Sequence, residues 1–173
     1  MEPITLVIIG NKSSVRRLFE ANGWFETDHL GPISLLKTIS ASLLNSSYHK
    51  GLMSYSYINH KRFQLGFERP TRSDTFRRRH HSRIWKTNLK FHGSSVWAGM
   101  ASYDRSIGIS TDGWPTHHIS PSLADEDHFI ARSLGIFEPT YIKLSKPEKG
   151  IINIGDPYTW DGKALLVDLS DET

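Results

Sequence analysis

The run Ile4-Thr5-Leu6-Val7-Ile8-Ile9, which ends at Gly10-Asn11, is the strongest constraint on the fold of this chain. It is apolar almost throughout and rich in β-branched side chains, and it does not alternate with polar residues. Strands of this kind are buried on both faces and lie inside a sheet, away from its edges. The sequence therefore predicts a sheet with this strand in a central position.

Three segments have the features of helices. Ser13 and Ser14 are good N-cap residues ahead of apolar positions at helical spacing, and Pro32 suits the first turn of a second helix. A third helix is predicted after Ser122, because acidic residues fill its first turns and favour the positive end of the helix dipole. The predicted helices cover residues 14–22, 32–45 and 123–134.

The remaining segments alternate as strands do. Tyr55–Asn59 and Phe63–Phe67 predict a β-hairpin around a turn at residues 59–62, and residues 69–75, which include Pro70, predict a loop. Further strands are predicted at 79–90, 95–103, 141–144, 151–154 and 164–169, with a loop or short ribbon at 104–115. The order of elements predicts an α+β fold in one domain, residues 1–173, with a mostly antiparallel or mixed β-sheet and about three helices.

Composition narrows the classes of protein. Charged residues make up 23% of the 173 residues and hydrophobic ones 38%, as in folded globular proteins. No apolar run approaches the roughly 18 residues of a membrane span, and no export signal precedes the first strand, so a soluble protein of the cytoplasm is expected. The absence of cysteine excludes disulfides, thiolate zinc sites and cysteine nucleophiles.

The charge of the chain is unevenly distributed. The net charge is only +3, but residues 50–90 hold eleven lysines and arginines against Glu68 and Asp74, and the last third is rich in acids. Such asymmetry favours an anionic partner. A solvated basic face that acidic loops neutralise is the structural alternative.

Arginine and histidine are concentrated in Arg77-Arg78-Arg79-His80-His81-Ser82-Arg83-Ile84-Trp85, and a second histidine pair follows at His117-His118. Arginine binds carboxylates and phosphates through two hydrogen bonds at a time, and imidazole serves as a metal ligand or a proton carrier. On a strand, adjacent side chains point to opposite faces. His81, Arg83 and Trp85 are therefore expected on one face, and His80, Ser82 and Ile84 on the other.

These motifs resemble those of the C-terminal domain of LssY-type proteins. The resemblance rests on Arg79–Trp85, on Val96-Trp97-Ala98-Gly99 with Tyr103-Asp104, and on Thr116-His117-His118-Ile119-Ser120-Pro121 leading into an acidic helix. It covers about residues 3–134, and residues 135–173 are interpreted as an extension specific to this chain. In many members the domain is joined to membrane segments of a DedA-like or lipid-phosphate-phosphatase-like type. The resemblance therefore implies a fold and an association with membrane partners more than a particular chemistry.

One segment departs from the family pattern. The family continues H-x-D-P-D-x-D-x-E-R-D, whereas this chain has Ser120, Ser122 and Ala124 at the aspartate positions and Asp127 at the arginine position. Glu126 matches. If those aspartates bind a metal in the family, the resemblance implies a lost or remodelled site here.

The candidate site residues form three overlapping sets. Catalytic roles are predicted for His81, His117 and Asp104. Ligand binding is predicted for Arg79, Arg83, Trp85 and His80. Metal binding is predicted for His80, His118 and Glu126, with a divalent metal left open as the cofactor.

Each set has a structural alternative. One histidine of each pair can be a hydrogen-bonded core residue, a strand arginine can simply pair with Asp104 or Glu126, and tryptophans on strands more often pack a core than stack on a base. Nucleic acid is therefore disfavoured as a partner. The sequence favours a module that binds a phosphorylated or otherwise anionic ligand, and a metal-assisted or histidine-based phosphoester hydrolase is the alternative.

Overall fold

The computed structural model of the chain describes residues 3–29, 52–53, 56–71, 78–109, 115–152 and 155–171. The helices are α1 (Lys12–Ala21) and α2 (Leu123–Ser133). The strands are β1 (Leu6–Ile9), β2 (Phe25–Glu26), β3 (Asp28–His29), β4 (Leu52–Met53), β5 (Tyr57–Ile58), β6 (Lys61–Arg62), β7 (Leu65–Pro70), β8 (Arg79–Phe91), β9 (Ser94–Ile109), β10 (Pro115–Ile119), β11 (Thr140–Lys143), β12 (Glu148–Ile151), β13 (Pro157–Trp160) and β14 (Lys163–Asp168).

The main sheet has the strand order β11-β14-β1-β9-β8-β7-β2, and β10 pairs with the far half of β9. β1 lies between β14 and β9, as its apolar run predicts. It is parallel to β14, and the other pairs in this sheet are antiparallel. The expectation of a mixed sheet with helices on it, an α+β fold, is therefore confirmed.

Both helices pack on one face of the sheet, which we call the helix face. Phe19 of α1 stacks on Phe67 of β7 with 4.3 Å between ring centroids, and Ile130 of α2 belongs to the same buried cluster. The strands contribute alternate residues to this core, because their side chains alternate between faces. The strand residues of the cluster are Leu6, Ile8, Leu65, Phe67, Ile84, Trp97, Ala101, Leu165 and Val167.

The two helix predictions that fall on described residues are confirmed in position. α1 begins two residues earlier than predicted because Asn11, not a serine, is its N-cap and accepts a hydrogen bond from the Ser14 amide at 2.9 Å. Ser122 caps α2, as predicted. The predicted helix at 32–45 lies outside the described residues, and the described part has two helices where about three were expected.

The hairpin prediction is right in place but wrong in its pairing. Asn59 and His60 have φ of 48° and 62°, so a two-residue turn joins β5 directly to β6. The segment predicted as the second hairpin strand instead starts β7, which pairs with β8 from Leu65 to Pro70. Residues 69 and 70, which were expected in a loop, are the last two of β7, since proline is tolerated at the end of a strand. Residues 72–75 of the predicted loop lie outside the described residues.

The C-terminal segment is part of the sheet. β14 supplies the partner of β1 on one side, and β11 covers the outer edge of β14. β12 and β13 form a separate hairpin whose Ile152, Tyr158 and Trp160 pack on Ile119 and Leu123. No helix in the described part of the chain is both long and apolar enough to cross a membrane.

Candidate functional site

β8 carries the arginine–histidine motif through the sheet and separates its side chains. It pairs with β9 on one side and with β7 on the other. Ile84 belongs to the core under the helices, whereas Trp85 belongs to a second cluster with Met53, Phe63 and Met100. The alternation predicted for this strand is therefore confirmed, and the motif contributes to two separate places on opposite faces.

On the helix face lies an open pocket of about 520 Å³, which we call the helix-face pocket. It forms where β7 ends, β8 begins and the last turns of α2 pass over both. Its lining residues are Arg69, Pro70, Thr71, His80, Phe129, Arg132 and Ser133.

The imidazole of His80 is fixed in this pocket on three sides. Its Nδ1 lies 2.8 Å from Glu126 Oε1 and 3.0 Å from Oε2. The ring stacks on Phe129 with centroids 3.5 Å apart and on Tyr103 at 4.7 Å. The Glu126 carboxylate can only accept a hydrogen bond, so the neutral ring carries its hydrogen on Nδ1 and leaves Nε2 as an acceptor. Nε2 has no hydrogen-bond partner among the described residues.

Two arginines give the pocket its charge. Arg69 is anchored, because its Nη1 donates to the Ser133 carbonyl oxygen at 3.0 Å. Arg132 is exposed in the last turn of α2 and forms no ion pair within the described part of the chain. Among the described lining residues none is acidic, and Glu126 reaches the pocket only through His80. The pocket thus presents cations and an imidazole to a ligand.

On the opposite face of the sheet, four residues form what we call the buried charge cluster: Glu68, Arg79, His81 and Asp104. His81 Nε2 lies 2.5 Å from Asp104 Oδ2, and its Nδ1 lies 3.6 Å from Glu68 Oε1. Arg79 Nη1 donates to Glu68 Oε2 at 2.6 Å. Exposure is 2% for Glu68, 7% for Arg79 and 6% for Asp104, and the His81 side chain is 12% exposed, so the cluster is largely buried.

The carboxylates around His81 set its protonation. Burial lowers the pKa of the imidazole, but the charges of Asp104 and Glu68 and the hydrogen bond to Asp104 outweigh burial and raise the pKa above 6.5, with Arg83 acting against them. The His81 ring lies between the Glu68 and Asp104 carboxylates and so joins β7, β8 and β9. That arrangement suits a structural ion pair network better than proton transfer to a substrate.

The other predicted ligand residues also lie on the opposite face. Trp85 is 3% exposed, packs edge-to-face on Phe63 and donates its Nε1 hydrogen to the Lys61 carbonyl oxygen at 3.0 Å. Arg83 is half-buried beside His81, and its Nε has no partner among the described residues. Trp85 is therefore a core residue, and of the predicted ligand residues only His80 lines the helix-face pocket.

The second histidine pair lies on β10. His118 Nδ1 is 2.6 Å from Asp156 Oδ1, and Asp156 Oδ2 accepts a hydrogen bond from the Ile119 amide. His117 pairs with Ile107 through the backbone, but its side chain lies outside the described residues. The catalytic role predicted for His117 therefore stays a prediction.

The predicted metal ligands do not meet as a set. His80 and Glu126 are paired, whereas His118 is bound to Asp156 in the loop between β12 and β13. Within the described residues, no group of three or more histidine, aspartate or glutamate side chains has the arrangement of a metal site. A transition metal takes three or four such ligands, so the His80–Glu126 pair alone does not hold one.

Sequence reasoning missed most of the pocket. The sequence predicts a loop at Arg69, and it predicts a helix at Phe129 and Arg132 without indicating a site there. The sequence also does not indicate that Glu68 is the partner of Arg79 or that Asp156 is the partner of His118. A signal existed for Glu68, because it is a lone carboxylate in an otherwise alternating apolar strand. The pairing of Arg69 with His80 across β7 and β8 depends on register, which the sequence does not give.

Comparison with known proteins agrees with the motifs. No curated protein and no solved structure matches the chain. The family model described as LssY C-terminus matches residues 1–164, which extends beyond residue 134, where the resemblance of the motifs ends. The match includes both faces of β8, α2 and the start of β14. The chain belongs to the LssY C-terminus family.

Proposed function

We propose that the helix-face pocket binds a small anionic ligand that carries a phosphate group. The observation that supports this most strongly is the meeting of Arg69, Arg132 and His80 in one pocket whose described lining residues include no acid. A guanidinium donates two parallel hydrogen bonds to a phosphate. The His80 ring in its doubly protonated form, with its Nδ1 hydrogen on Glu126, adds a third donor through Nε2.

The pocket is preorganised for such a ligand. The His80 ring is held by Glu126 and by Phe129, and Arg69 is held by the Ser133 carbonyl oxygen. Groups that are already ordered lose less conformational entropy on binding. A volume of about 520 Å³ also suits a phosphate joined to a small organic group, since ligand pockets commonly measure about 300–1,000 Å³.

Thermal unfolding in inorganic phosphate and in a simple phosphomonoester tests the proposal. A ligand that binds only the native state raises the melting temperature, and the rise should be lost in Arg132→Gln and in His80→Gln. Lys143→Gln is the matched control, because Lys143 is an exposed cation on the edge strand β11. Equal stabilisation of all four proteins would contradict the proposal.

A second function, histidine-based hydrolysis of a phosphoester, is supported by one observation. Glu126 holds Nδ1 of His80 and leaves Nε2 for attack on phosphorus. In that step the Nε2–phosphorus bond forms as the phosphorus–oxygen ester bond breaks, and the leaving oxygen takes its proton from water. A second water then hydrolyses the phosphoimidazole to phosphate and restores His80. Release of nitrophenol from p-nitrophenyl phosphate would show turnover. A rate that survives in His80→Gln would rule out this role for His80.

A further inference from the structure

The hairpin formed by β8 and β9 extends beyond its neighbours. β7 pairs with β8 only as far as Ile84, so the β7–β8 ladder does not extend to residues 86–95, which we call the hairpin tip. On that side two side chains reach the tip: Gln64 accepts from the Lys86 amide at 2.7 Å, and Lys61 donates to Asn88. Leu89 is 65% exposed at the tip and Phe91 is 46% exposed. Large apolar side chains at the end of a projecting hairpin are available to a partner.

A β-bulge fixes the direction of these side chains. Lys86 pairs with Trp97 and Lys90 with Ser95, so β8 has two more residues than β9 between these pairs. The Thr87 hydroxyl donates to the Val96 carbonyl oxygen at 2.6 Å and accepts from the Leu89 amide at 3.1 Å. The bulge is therefore hydrogen-bonded, and it presents Leu89 to solvent on an ordered backbone.

The charge around the tip is positive. Residues 75–103 contain no aspartate or glutamate, and Lys86 and Lys90 flank Leu89. Lys61 of β6 adds a third cation, because its Nζ donates to Asn88 Oδ1 at 3.3 Å. The Asp168 carboxylate lies within electrostatic reach of His92 in the turn. The pKa of Asp168 is lowered mainly by its hydrogen bonds with Ser170 and in smaller part by His92.

We propose that the hairpin tip docks on an anionic lipid surface. Leu89 and Phe91 would enter the boundary between head groups and acyl chains, and Lys61, Lys86 and Lys90 would lie at the level of the lipid phosphates. Apolar side chains beside lysines are the combination that binds anionic bilayers, because insertion and electrostatic attraction add. The surface lies on a different part of the sheet from the helix-face pocket, so it is independent of the ligand proposed there.

Sedimentation with vesicles tests this proposal. The wild-type chain should bind vesicles of phosphatidylcholine mixed with phosphatidylserine and should not bind pure phosphatidylcholine. Leu89→Ser/Phe91→Ser and Lys86→Gln/Lys90→Gln should each weaken binding roughly tenfold. Phe137→Ser is the matched control, because Phe137 is 96% exposed elsewhere and should not matter. Absence of wild-type binding to the mixed vesicles, or an equal loss in the control, would overturn the proposal.

The chain contains no cysteine, which allows a second measurement. Leu89→Cys and Phe137→Cys can each be labelled with one environment-sensitive fluorophore. The emission of the label at residue 89 should shift to the blue with the mixed vesicles, while that at residue 137 should stay unchanged. Binding by sedimentation without a shift at residue 89 would mean that another surface meets the membrane, against the proposal.

Discussion

His80 and His81 are adjacent in the chain, yet each is bound to a different carboxylate on a different face of the sheet. His80 Nδ1 lies 2.8 Å from Glu126 Oε1 above β8, and His81 Nε2 lies 2.5 Å from Asp104 Oδ2 below it. The first imidazole lines an open pocket, and the second lies in a largely buried charge cluster. Substitutions at these two positions should therefore have different consequences.

Removal of the Glu126 carboxylate should loosen His80. Glu126→Ala leaves the His80 Nδ1 hydrogen without its acceptor in a site where Glu126 is only 4% exposed, which should cost about 1–3 kcal/mol in the free energy of unfolding. Glu126→Gln keeps an acceptor oxygen and should cost less. Urea unfolding of both variants measures the difference, and equal values would show that the bond is not stabilising.

Disruption of the buried charge cluster should be more damaging. Arg79→Leu leaves Glu68 buried without its partner, and such losses cost about 3–5 kcal/mol. Arg16→Leu is the control, because its pair with Glu26 is solvent-exposed in part and contributes about 1 kcal/mol or less. Similar losses in the two variants would contradict the assignment of Arg79 to a buried network.

Asp127 should make stability fall as the pH rises. Burial, with smaller contributions from Asp161 and Glu126, raises its pKa from 3.8 to about 8, although the Thr5 hydrogen bond acts the other way. The folded state therefore keeps a proton that the unfolded chain loses, and the stabilisation that is complete below pH 3.8 is lost as the pH approaches 8. Asp127→Asn should match the wild type near pH 4 and exceed it by a few kcal/mol above pH 8. Chemical unfolding across that range provides the measurement.

His81 should cause a second decrease in the free energy of unfolding as the pH rises. Its pKa is raised above 6.5 in the folded state, so its contribution is complete below pH 6.5 and disappears as the pH rises through the folded value. His81→Gln should abolish this part of the pH dependence. Measurement in an Asp127→Asn background separates the two groups, and an unchanged slope above pH 6.5 would exclude His81 as its source.

The fold was accessible from the sequence where local pattern decides it. The apolar run of β1, the acidic N-terminus of α2 and the alternation in β8 each express a physical preference of a few neighbouring residues. The pairing of β7 could not be predicted in this way. The turn at Asn59 and His60 takes only two residues, so the next segment is free to pair with β8.

The candidate site was only partly accessible for the same reason. The two faces of β8 follow from the strand period, which correctly separates His80 from His81. The partners of these histidines come from β7, β9 and α2, and their positions depend on the register of strands and on the rotation of a helix. Local sequence contains neither, so Arg69 and Arg132 could not be assigned to a common pocket.

The parallel pairing of β1 with β14 has a consequence for the order of folding. Leu6 and Leu165 are register partners, although about 160 residues separate them. During synthesis β1 must therefore wait, with one edge unpaired, until nearly all of the described chain has left the ribosome. An exposed apolar edge is a template for aggregation, so the nascent chain should depend on chaperones until β14 arrives.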